Sequence, residues 1–355
     1  MIARLALVAL MLTASCTPTD LRRKVLRSWG EDLLLPLYVQ FDARLGELAV
    51  RIEALCSTPT EETLALAREG WWNARAPWKQ AEVFAFGPFS EEPLRLGPKI
   101  DFWPARPENA DEVLAGSDPI TAETFGAASK GLPIVEYLLY APSGDVAEAF
   151  APGSRRCAYL ASLVVDLRAR TKELSDAWSP AGGNFLGELV EAGNTSKLYE
   201  TLPLALGEIV NRMAYTAENI RGDKLGKPLG TTSGGSPQPE LAESRWSGRS
   251  LQDIFDNLTG IESVYFGAPG EDALGLVDYL HWRDRFDLDA RMRTELADSR
   301  RAIDFVRQPL TVAITTSPAR VQAVSDALGE LQRLVQVDVI GALSLTVGFN
   351  DNDGD

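Results

Sequence analysis

The residues best suited to bind a ligand lie in two short stretches of this 355-residue chain. In "GWWNARAPWKQAE" (residues 70–82), aromatic and charged residues recur at spacings of four, three and four: Trp71, Arg75, Trp78 and Glu82. In a helix these spacings place all four side chains on one face. The stretch therefore predicts a polar face with aromatic walls, although an amphipathic helix with an Arg stacked on a Trp ring gives the same pattern.

The second stretch, "KGLPIVEYLL" (residues 130–139), places a glutamate inside an apolar run. Gly131 and Pro133 are typical of a helix start, where the missing N–H of proline costs no hydrogen bond. Glu136 then falls in the first or second turn, near the positive end of the helix dipole. Two interpretations stay open: a helix-start carboxylate paired with an Arg, and a buried carboxylate in a site between helices.

An ordered set of motifs along the chain resembles the imelysin family, a group of exported bacterial proteins named after a peptidase credited with cleaving insulin. The motifs read W-x-x-A-R-x-P-W-x-x-x-E-x-F-x-F-G-P, IDFWP, GLPIVEYLLY, DKLGKPLG, ESRWSGRSLQDIFDNLTGIESVYFG and the terminal GFNDNDGD, and they extend over residues 30–355. The resemblance implies an all-α fold of two four-helix bundles related by pseudo-symmetry, with a functional pocket at their junction. It also implies a link to iron uptake and to metal or haem handling.

The hallmark of that family is Gly-x-His-x-x-Glu, and here Gly131 and Glu136 match while Pro133 stands in place of the histidine. The only histidine, His281 in "DYLHWRD", lies outside any motif and is interpreted as structural. A zinc peptidase needs about three protein ligands and an activated water. The missing histidine therefore argues against catalysis.

A carboxylate-only site for iron or another divalent metal stays open. The candidate ligands are Glu82, Asp101, Glu136, Glu243 and Asp253, and Glu82 and Glu136 are the predicted metal-binding pair. Asp253 and Asn257 lie four apart on one predicted helix face, although Ser250 and Asp253 also match a capping box. The full predicted pocket comprises Arg75, Trp78, Glu82, Trp103, Glu136, Arg245, Asp253 and Asn257, with Arg75 and Arg245 balancing the carboxylates or holding an anionic ligand.

Helical periodicity supplies the elements that would position these residues. Apolar residues repeat every three or four positions in three long segments: Leu45, Leu48, Ile52 and Leu55; Leu251, Ile254, Phe255, Leu258, Ile261 and Tyr265; and Val321, Val324, Leu328, Leu331, Val335 and Val339. Convincing strand alternation is scarce, and "ALSLTVGF" near the end could be either type. The predicted domains are an N-terminal bundle over 31–150 and a C-terminal bundle over 151–355.

The first sixteen residues, "MIARLALVALMLTASC", predict a signal peptide over 1–15 followed by lipidation at Cys16. An ordinary signal peptide with a chance cysteine is the alternative. Residues 16–30 are predicted to tether the lipid to the first helix. Since Thr17 is not the Asp that retains such lipoproteins at the inner membrane, we expect a periplasmic protein anchored to the outer membrane. Cys56 and Cys157 are predicted to be free and buried.

The formal net charge of −15 excludes nucleic acid as a partner. The expected partners are the membrane through Cys16, a metal or metal complex, and uptake proteins of the envelope. The acidic tail "NDNDGD" resembles the start of a calcium loop but lacks the closing Glu. The preferred function is non-catalytic binding in iron or metal handling, with a metallopeptidase and a protein-interaction scaffold as the alternatives.

Overall fold

The computed structural model describes residues 20–142, 144–270 and 272–346, and these residues form helices and loops with no β-strand among them. The predicted all-α class is confirmed. The principal helices are α1 Leu21–Ser28, α2 Leu35–Ser57, α3 Glu61–Ala81, α4 Leu132–Tyr140, α5 Arg155–Trp178, α6 Leu202–Asn219, α7 Ser250–Phe266, α8 Phe286–Val306 and α9 Pro318–Arg333. The predicted lipidation site Cys16 and the tail at 350–355 lie outside the described residues.

Shorter elements connect and extend these helices. Short α-helices span Gly97–Ile100, Pro107–Ala115, Val146–Ala149, Phe185–Val190, Lys227–Leu229, Leu276–Trp282, Leu310–Thr316 and Ile340–Ala342. Single 3-10 turns occur at Glu82–Phe84, Gly87–Phe89, Ala122–Thr124, Ala127–Ser129 and Pro239–Leu241. π-helical segments at Trp29–Leu34, Ile220–Gly226 and Leu334–Val339 continue α1 into α2 and extend α6 and α9. Such segments are rare and are frequent at functional sites.

The apolar stripes read from the sequence become the core. On α2, Leu45, Leu48, Ile52 and Leu55 are all buried, and so is the stripe that runs along α9 into the segment Leu334–Val339. On α7 the stripe is buried except for Leu251 and Phe255, which are partly buried against the core. Helices α2, α3, α4 and α5 pack around one part of the core, and α6, α7, α8 and α9 pack around another. The pseudo-symmetry between the two sets stays a prediction.

The two sets of helices meet where α3 crosses α7. A Cβ atom on Gly260 of α7 would lie 2.3 Å from the carbonyl oxygen of Gln80 on α3, so only glycine allows this approach. Nearby, Asn257 donates from Nδ2 to the carbonyl oxygen of Lys79 at 2.8 Å. The backbones of α3 and α7 are therefore held close together, with the polar faces of both helices between them.

The part of the predicted tether that the structure describes is helical and packed. Val25 and Leu26 of α1 are fully buried, and the Trp29 indole donates to the Val264 carbonyl oxygen at 2.9 Å. Helix α1 contacts α6 rather than the first set of helices. The described residues thus begin beside α6 and then enter α2.

The prediction that Cys56 and Cys157 are free is wrong, because the structure joins them in a disulfide with a Cα–Cα distance of 5.7 Å. Helices α2 and α5 pack antiparallel, as the pairing of Asp42 with Arg168 also shows, so the end of α2 lies beside the start of α5. The 101-residue separation hid this proximity from a reading of the sequence.

Among the helices of the described ranges, none combines the length and the apolar composition that crossing a bilayer requires.

Candidate binding site at the crossing of two helices

A set of nine buried or nearly buried charged residues fills the crossing of α3 and α7, and we call it the charge cluster. It contains four cations and five carboxylates, namely Arg75, Lys79, Lys224, Arg249, Glu82, Asp101, Glu243, Asp253 and Asp256. Such a cluster is stable only when every charge has an opposite neighbour, since desolvating a lone ion costs several kcal/mol.

Arg75 of α3 lies at the centre of one half of the charge cluster. Its Nε and Nη2 donate to Asp253 of α7 at 2.9–3.1 Å, and Nη2 also donates to Glu243 at 3.0 Å. Nη1 lies 3.2 Å from Asp101. The side chain is 1% exposed, and its guanidinium stacks on the Trp71 ring, as one sequence interpretation proposed.

Lys79 lies one helical turn further along α3, and its ammonium occupies the position where a bound metal ion would be expected. Its Nζ lies 2.5 Å from Glu82, 2.7 Å from Asp101 and 2.5 Å from Glu243. Burial alone would lower the pKa of Lys79, but Asp101, Glu243 and Glu82 outweigh burial and raise the pKa above its ordinary value. The ammonium therefore stays charged among three carboxylates.

Lys224 enters the charge cluster from the π-helical segment Ile220–Gly226. Its Nζ lies 3.0 Å from Glu82 and 3.1 Å from Glu243, and it donates to Asn257 Oδ1 at 2.7 Å. Burial would raise the pKa of Glu243, but Lys224, Lys79 and Arg75 together hold it well below 4.5. Glu243 is thus a permanent anion that both sets of helices share.

The capping box predicted for Ser250 and Asp253 does not form. No side chain caps the first turn of α7, and the Ser250 hydroxyl donates to the Glu243 carbonyl oxygen instead. Asp253 accepts from Arg75, from Arg249 and from the Ser244 hydroxyl. Because these buried donors occupy both carboxylate oxygens, Asp253 stabilises the crossing of α3 and α7 and does not cap the start of α7.

Glu136 lies outside this network of pairs. Its Oε1 accepts the backbone N–H of Ser247 at 2.8 Å, and within the described ranges no Lys or Arg reaches salt-bridge distance. Burial raises the pKa of Glu136 to about 7, although the Ser247 hydrogen bonds partly offset the effect. The Arg partner that one sequence interpretation gave Glu136 is therefore not there.

Gly131 fixes where α4 begins beside the site. Its φ of +84° lies in the region that favours glycine, and a Cβ would lie 2.4 Å from the Ile100 carbonyl oxygen. The backbone of the segment that carries Asp101 therefore lies directly against the start of α4. The hallmark glycine is thus required by backbone geometry and close packing.

Two recesses open onto the charge cluster, and Trp103 lines both. The groove, of about 290 Å³, is lined by residues that include Lys79, Glu82, Phe89, Trp103, Asp101, Tyr215 and Lys224. The cleft, of about 20 Å³, has room for about one water and is lined by residues that include Trp103, Pro133, Glu136, Arg245 and Trp246. Of these two recesses, the groove is the one with room for a ligand larger than a water molecule.

Among residues 20–142, 144–270 and 272–346, the acidic group that could hold a metal ion consists of Glu82, Asp101 and Glu243, whose donor atoms lie within 4.8 Å of one another. Glu136, the predicted partner of Glu82, is not part of it. The Lys79 ammonium already lies among these three carboxylates, and Lys224 contacts two of them. The donor set as described does not fit a resident divalent metal, because the protein's own cations neutralise it.

The remaining predicted residues are placed as follows. Trp78 is fully buried, donates to Asp101 at 2.9 Å and stacks on Phe89, so it supports the site from behind. Arg245 stacks on Trp246 and donates to the Glu240 carbonyl oxygen without pairing with a buried carboxylate. The cation from the second set of helices that balances Asp253 is Arg249 instead.

His281 lies away from the charge cluster, where its Nε2 is 2.7 Å from Asp289. Asp289 also accepts from Tyr265 and Arg293. This local polar network joins α7, α8 and the helix Leu276–Trp282, and the interpretation of His281 as structural stays a prediction.

Sequence reasoning missed Lys79, Lys224, Arg249 and Asp256. A pattern for two of them was present, since Lys79 follows Arg75 by four and precedes Glu82 by three, and Arg249 precedes Asp253 by four. Lys224 could not be found in this way, because its direction depends on the π-helical segment.

Comparison with known proteins agrees with this architecture. The imelysin family model matches residues 34–336. Iron-regulated protein A of Synechococcus elongatus is 27% identical over 331 residues, which cover 89% of this chain and 88% of that protein.

Two solved structures show the same fold. An imelysin-like protein from Psychrobacter arcticum 273-4 has a TM-score of 0.77 at 22% identity, covering 94% of this chain and 98% of that one. A protein from Parabacteroides distasonis, assigned as a precursor of iron-regulated protein A, has a TM-score of 0.74 at 17% identity, covering 93% and 96%. The match of the family model over most of its length means that this chain belongs to the imelysin family.

Proposed function

We propose that this protein is an exported, non-catalytic binding protein of iron handling, which takes a metal complex in the groove beside the charge cluster. The observation that carries the proposal is the Lys79 ammonium between Glu82, Asp101 and Glu243. A bare ion would have to displace a charged lysine. A metal that brings its own chelator needs only contacts to the chelator, which the polar and aromatic groove offers.

The iron assignment is supported by relatives. The Synechococcus protein that shares 27% of its residues with this chain is named for its regulation by iron. The proposed ligand class is therefore an iron chelate, with haem as one member.

Export and anchoring are part of the proposal. A disulfide between Cys56 and Cys157 persists in an oxidising compartment and is rare in the cytosol. Together with the signal-like residues 1–15, it supports a periplasmic location, with a lipid on Cys16 holding the protein at the outer membrane. Uptake proteins of the envelope are the proposed partners.

The groove and the metal can be tested separately by calorimetric titration of the mature protein. We expect saturable heat with ferric citrate or haem and none with free Fe²⁺ under anaerobic conditions. Trp103→Ala should weaken binding about tenfold or more, since it removes a wall shared by both recesses. Trp282→Ala, which changes a tryptophan that is 64% exposed elsewhere, is the matched control.

Three results would overturn the proposal. The first is stoichiometric binding of free Fe²⁺ with no response to either complex. The second is sustained cleavage of insulin chains that disappears in Glu136→Ala, which would restore the peptidase alternative. The third is equally weak binding of all complexes by Trp103→Ala and Trp282→Ala. It would mean that the charge cluster acts only to dock the helices, as the scaffold alternative holds.

A further inference from the structure

An exposed aromatic surface lies beside the point where the described chain begins. The short helix Leu276–Trp282 packs against α1. At one end, the Leu274 N–H donates to the Ser28 hydroxyl at 2.9 Å; at the other, the Tyr279 hydroxyl interacts with the Arg22 guanidinium. Since residue 274 meets the end of α1 and residue 279 meets its start, the two helices run antiparallel. Trp282 therefore lies at the end where the chain leads back toward Cys16.

The aromatic side chains at this end face outward. Trp282 is 64% exposed and Phe286 is 57% exposed. Their inner faces are held in place, because Trp282 stacks on Tyr279 at 5.7 Å between centroids and Phe286 packs on His281 at 4.7 Å. Fixed aromatic rings with one open face are the side chains that favour the boundary between lipid headgroups and acyl chains.

Charge near these rings differs from that of the whole chain. Residues 20–28 and 282–287 together carry six Lys or Arg and three Asp. Glu191 and Glu31 pair with Arg23 and Arg27 of this set, so the local charge is close to neutral and slightly basic, whereas the full chain has a net charge of −15. A local excess of basic residues is attracted to anionic headgroups. The rest of the acidic surface would be repelled by them, so charge alone favours this orientation.

The short stretch of chain between Cys16 and the start of α1 also favours this orientation. Cys16 and Asp20 are four residues apart, and four extended residues span at most about 14 Å. If acyl chains on Cys16 enter a bilayer, the start of α1 must lie within that distance of the headgroups, and Trp282 lies at the same end of α1.

We infer that the surface formed by the start of α1, Trp282 and Phe286 lies on the lipid bilayer, with both rings at headgroup depth. This inference rests on the proposed lipidation of Cys16, which supplies the tether. The protein then has a fixed orientation, with one end of the α8 axis at the membrane.

The direct test uses the acylated mature protein in vesicles of phosphatidylethanolamine and phosphatidylglycerol that contain lipids brominated near the headgroup. Bromine quenches tryptophan fluorescence only at short range. We expect a quenched component in the wild type that Trp282→Phe removes. Equal quenching in both proteins would overturn the inference. So would absence of quenching together with a concentration-dependent shielding of Trp282, which would mean that a second copy or another protein covers this surface.

A second test separates this surface from the lipid anchor. The unacylated Cys16→Ser chain should still associate weakly with the same vesicles, and Phe286→Ser should weaken that association about fivefold. Phe305→Ser is the matched control, because Phe305 is 54% exposed on the same helix, roughly 28 Å further along its axis. Equal effects of the two substitutions would overturn the inference.

Mass spectrometry of the N-terminal peptide reports on the anchor independently. An acylated Cys16 without Trp282 quenching refutes the surface and leaves the anchor in place. An unmodified Cys16 with a specific effect of Phe286→Ser refutes the anchor and supports the surface.

Discussion

The charge cluster and the cleft at Glu136 are neighbouring regions of one helix crossing, yet they treat buried carboxylates in opposite ways. In the charge cluster, Asp253 and Glu243 each face at least two cations. In the cleft, Glu136 is buried equally well and receives one backbone N–H. The same burial therefore produces a permanent anion in one place and a titratable group in the other.

The two regions should respond to pH in opposite directions. Burial raises the pKa of Asp253, but Arg75 and Arg249 outweigh it and lower the pKa below 3.8, so its stabilisation is lost only as pH falls through that lowered value. Glu136, with its pKa raised from 4.5 to about 7, destabilises the fold as pH rises through that window. Acid should thus reduce the stabilisation that the charge cluster gives the fold. In the cleft, a rise to neutral pH should ionise Glu136 and so reduce folding stability.

The largest expected effect comes from removing one partner of the charge cluster. Asp253→Ala leaves the guanidiniums of Arg75 and Arg249 buried without their shared anion, and we expect a loss of about 5 kcal/mol in the free energy of unfolding. Urea denaturation at pH 7.5 measures it. Asp287→Ala, which breaks an exposed pair with Arg285, should leave the midpoint unchanged.

A loss under about 1 kcal/mol in Asp253→Ala would contradict the comparison. It would mean that water reaches both guanidiniums and that the charge cluster is not a desolvated network.

The fold was largely predictable because apolar spacing reports burial directly. Residues Leu45 to Leu55 and Leu251 to Tyr265 were assigned to helices from periodicity, and the same residues face the core. The disulfide was not predictable, because Cys56 and Cys157 meet only through the antiparallel packing of α2 with α5. Loop closure over a long separation leaves no local pattern.

The sequence could predict which residues of the candidate site lie close together, but it could not predict how their charges pair. Arg75, Glu82, Asp253 and Asn257 were expected to share a pocket, and the structure brings them to one helix crossing. Which cation balances which carboxylate depends on distances of about 3 Å between remote segments, and helical spacing does not determine these. Lys79 shows the consequence, since a lysine within a predicted metal site changes what that site can bind.

The second-largest expected effect is that of Lys79→Met, which tests whether the Lys79 ammonium occupies a position that a metal ion could otherwise take. Lys79→Met keeps the length of the side chain and removes its charge, leaving Glu82, Asp101 and Glu243 close together. We expect a loss of about 4 kcal/mol in metal-free buffer. Added Mn²⁺ or Fe²⁺ should recover part of it and raise the melting temperature of the variant, because three carboxylates within 4.8 Å then offer an open oxygen site.

The wild type is the control, and its melting temperature should not respond to either ion. A wild type that both ions stabilise would contradict the closed state of the donor set. A variant that neither ion stabilises would show that Lys224 and Arg75 suffice to keep metals out.

The smallest effect concerns Glu136 and depends on pH. Between pH 4.5 and 7, folded Glu136 holds a proton that the unfolded chain has released, so folding stability falls as pH rises. Glu136→Gln cannot ionise and escapes this loss. We expect the stability of the variant relative to wild type to increase by on the order of 3 kcal/mol between pH 4.5 and 8.

Urea denaturation at a series of pH values measures this difference, and the titration of every other group cancels because both proteins share it. Glu62→Gln, which changes an exposed glutamate in the first turn of α3, is the matched control. A difference for Glu136→Gln that does not change with pH would mean that a cation or water compensates Glu136 in solution. The cleft and the charge cluster would then handle buried carboxylates alike. A slope confined to Glu136→Gln would instead leave Glu136 as a buried carboxylate whose charge a bound ligand could still change.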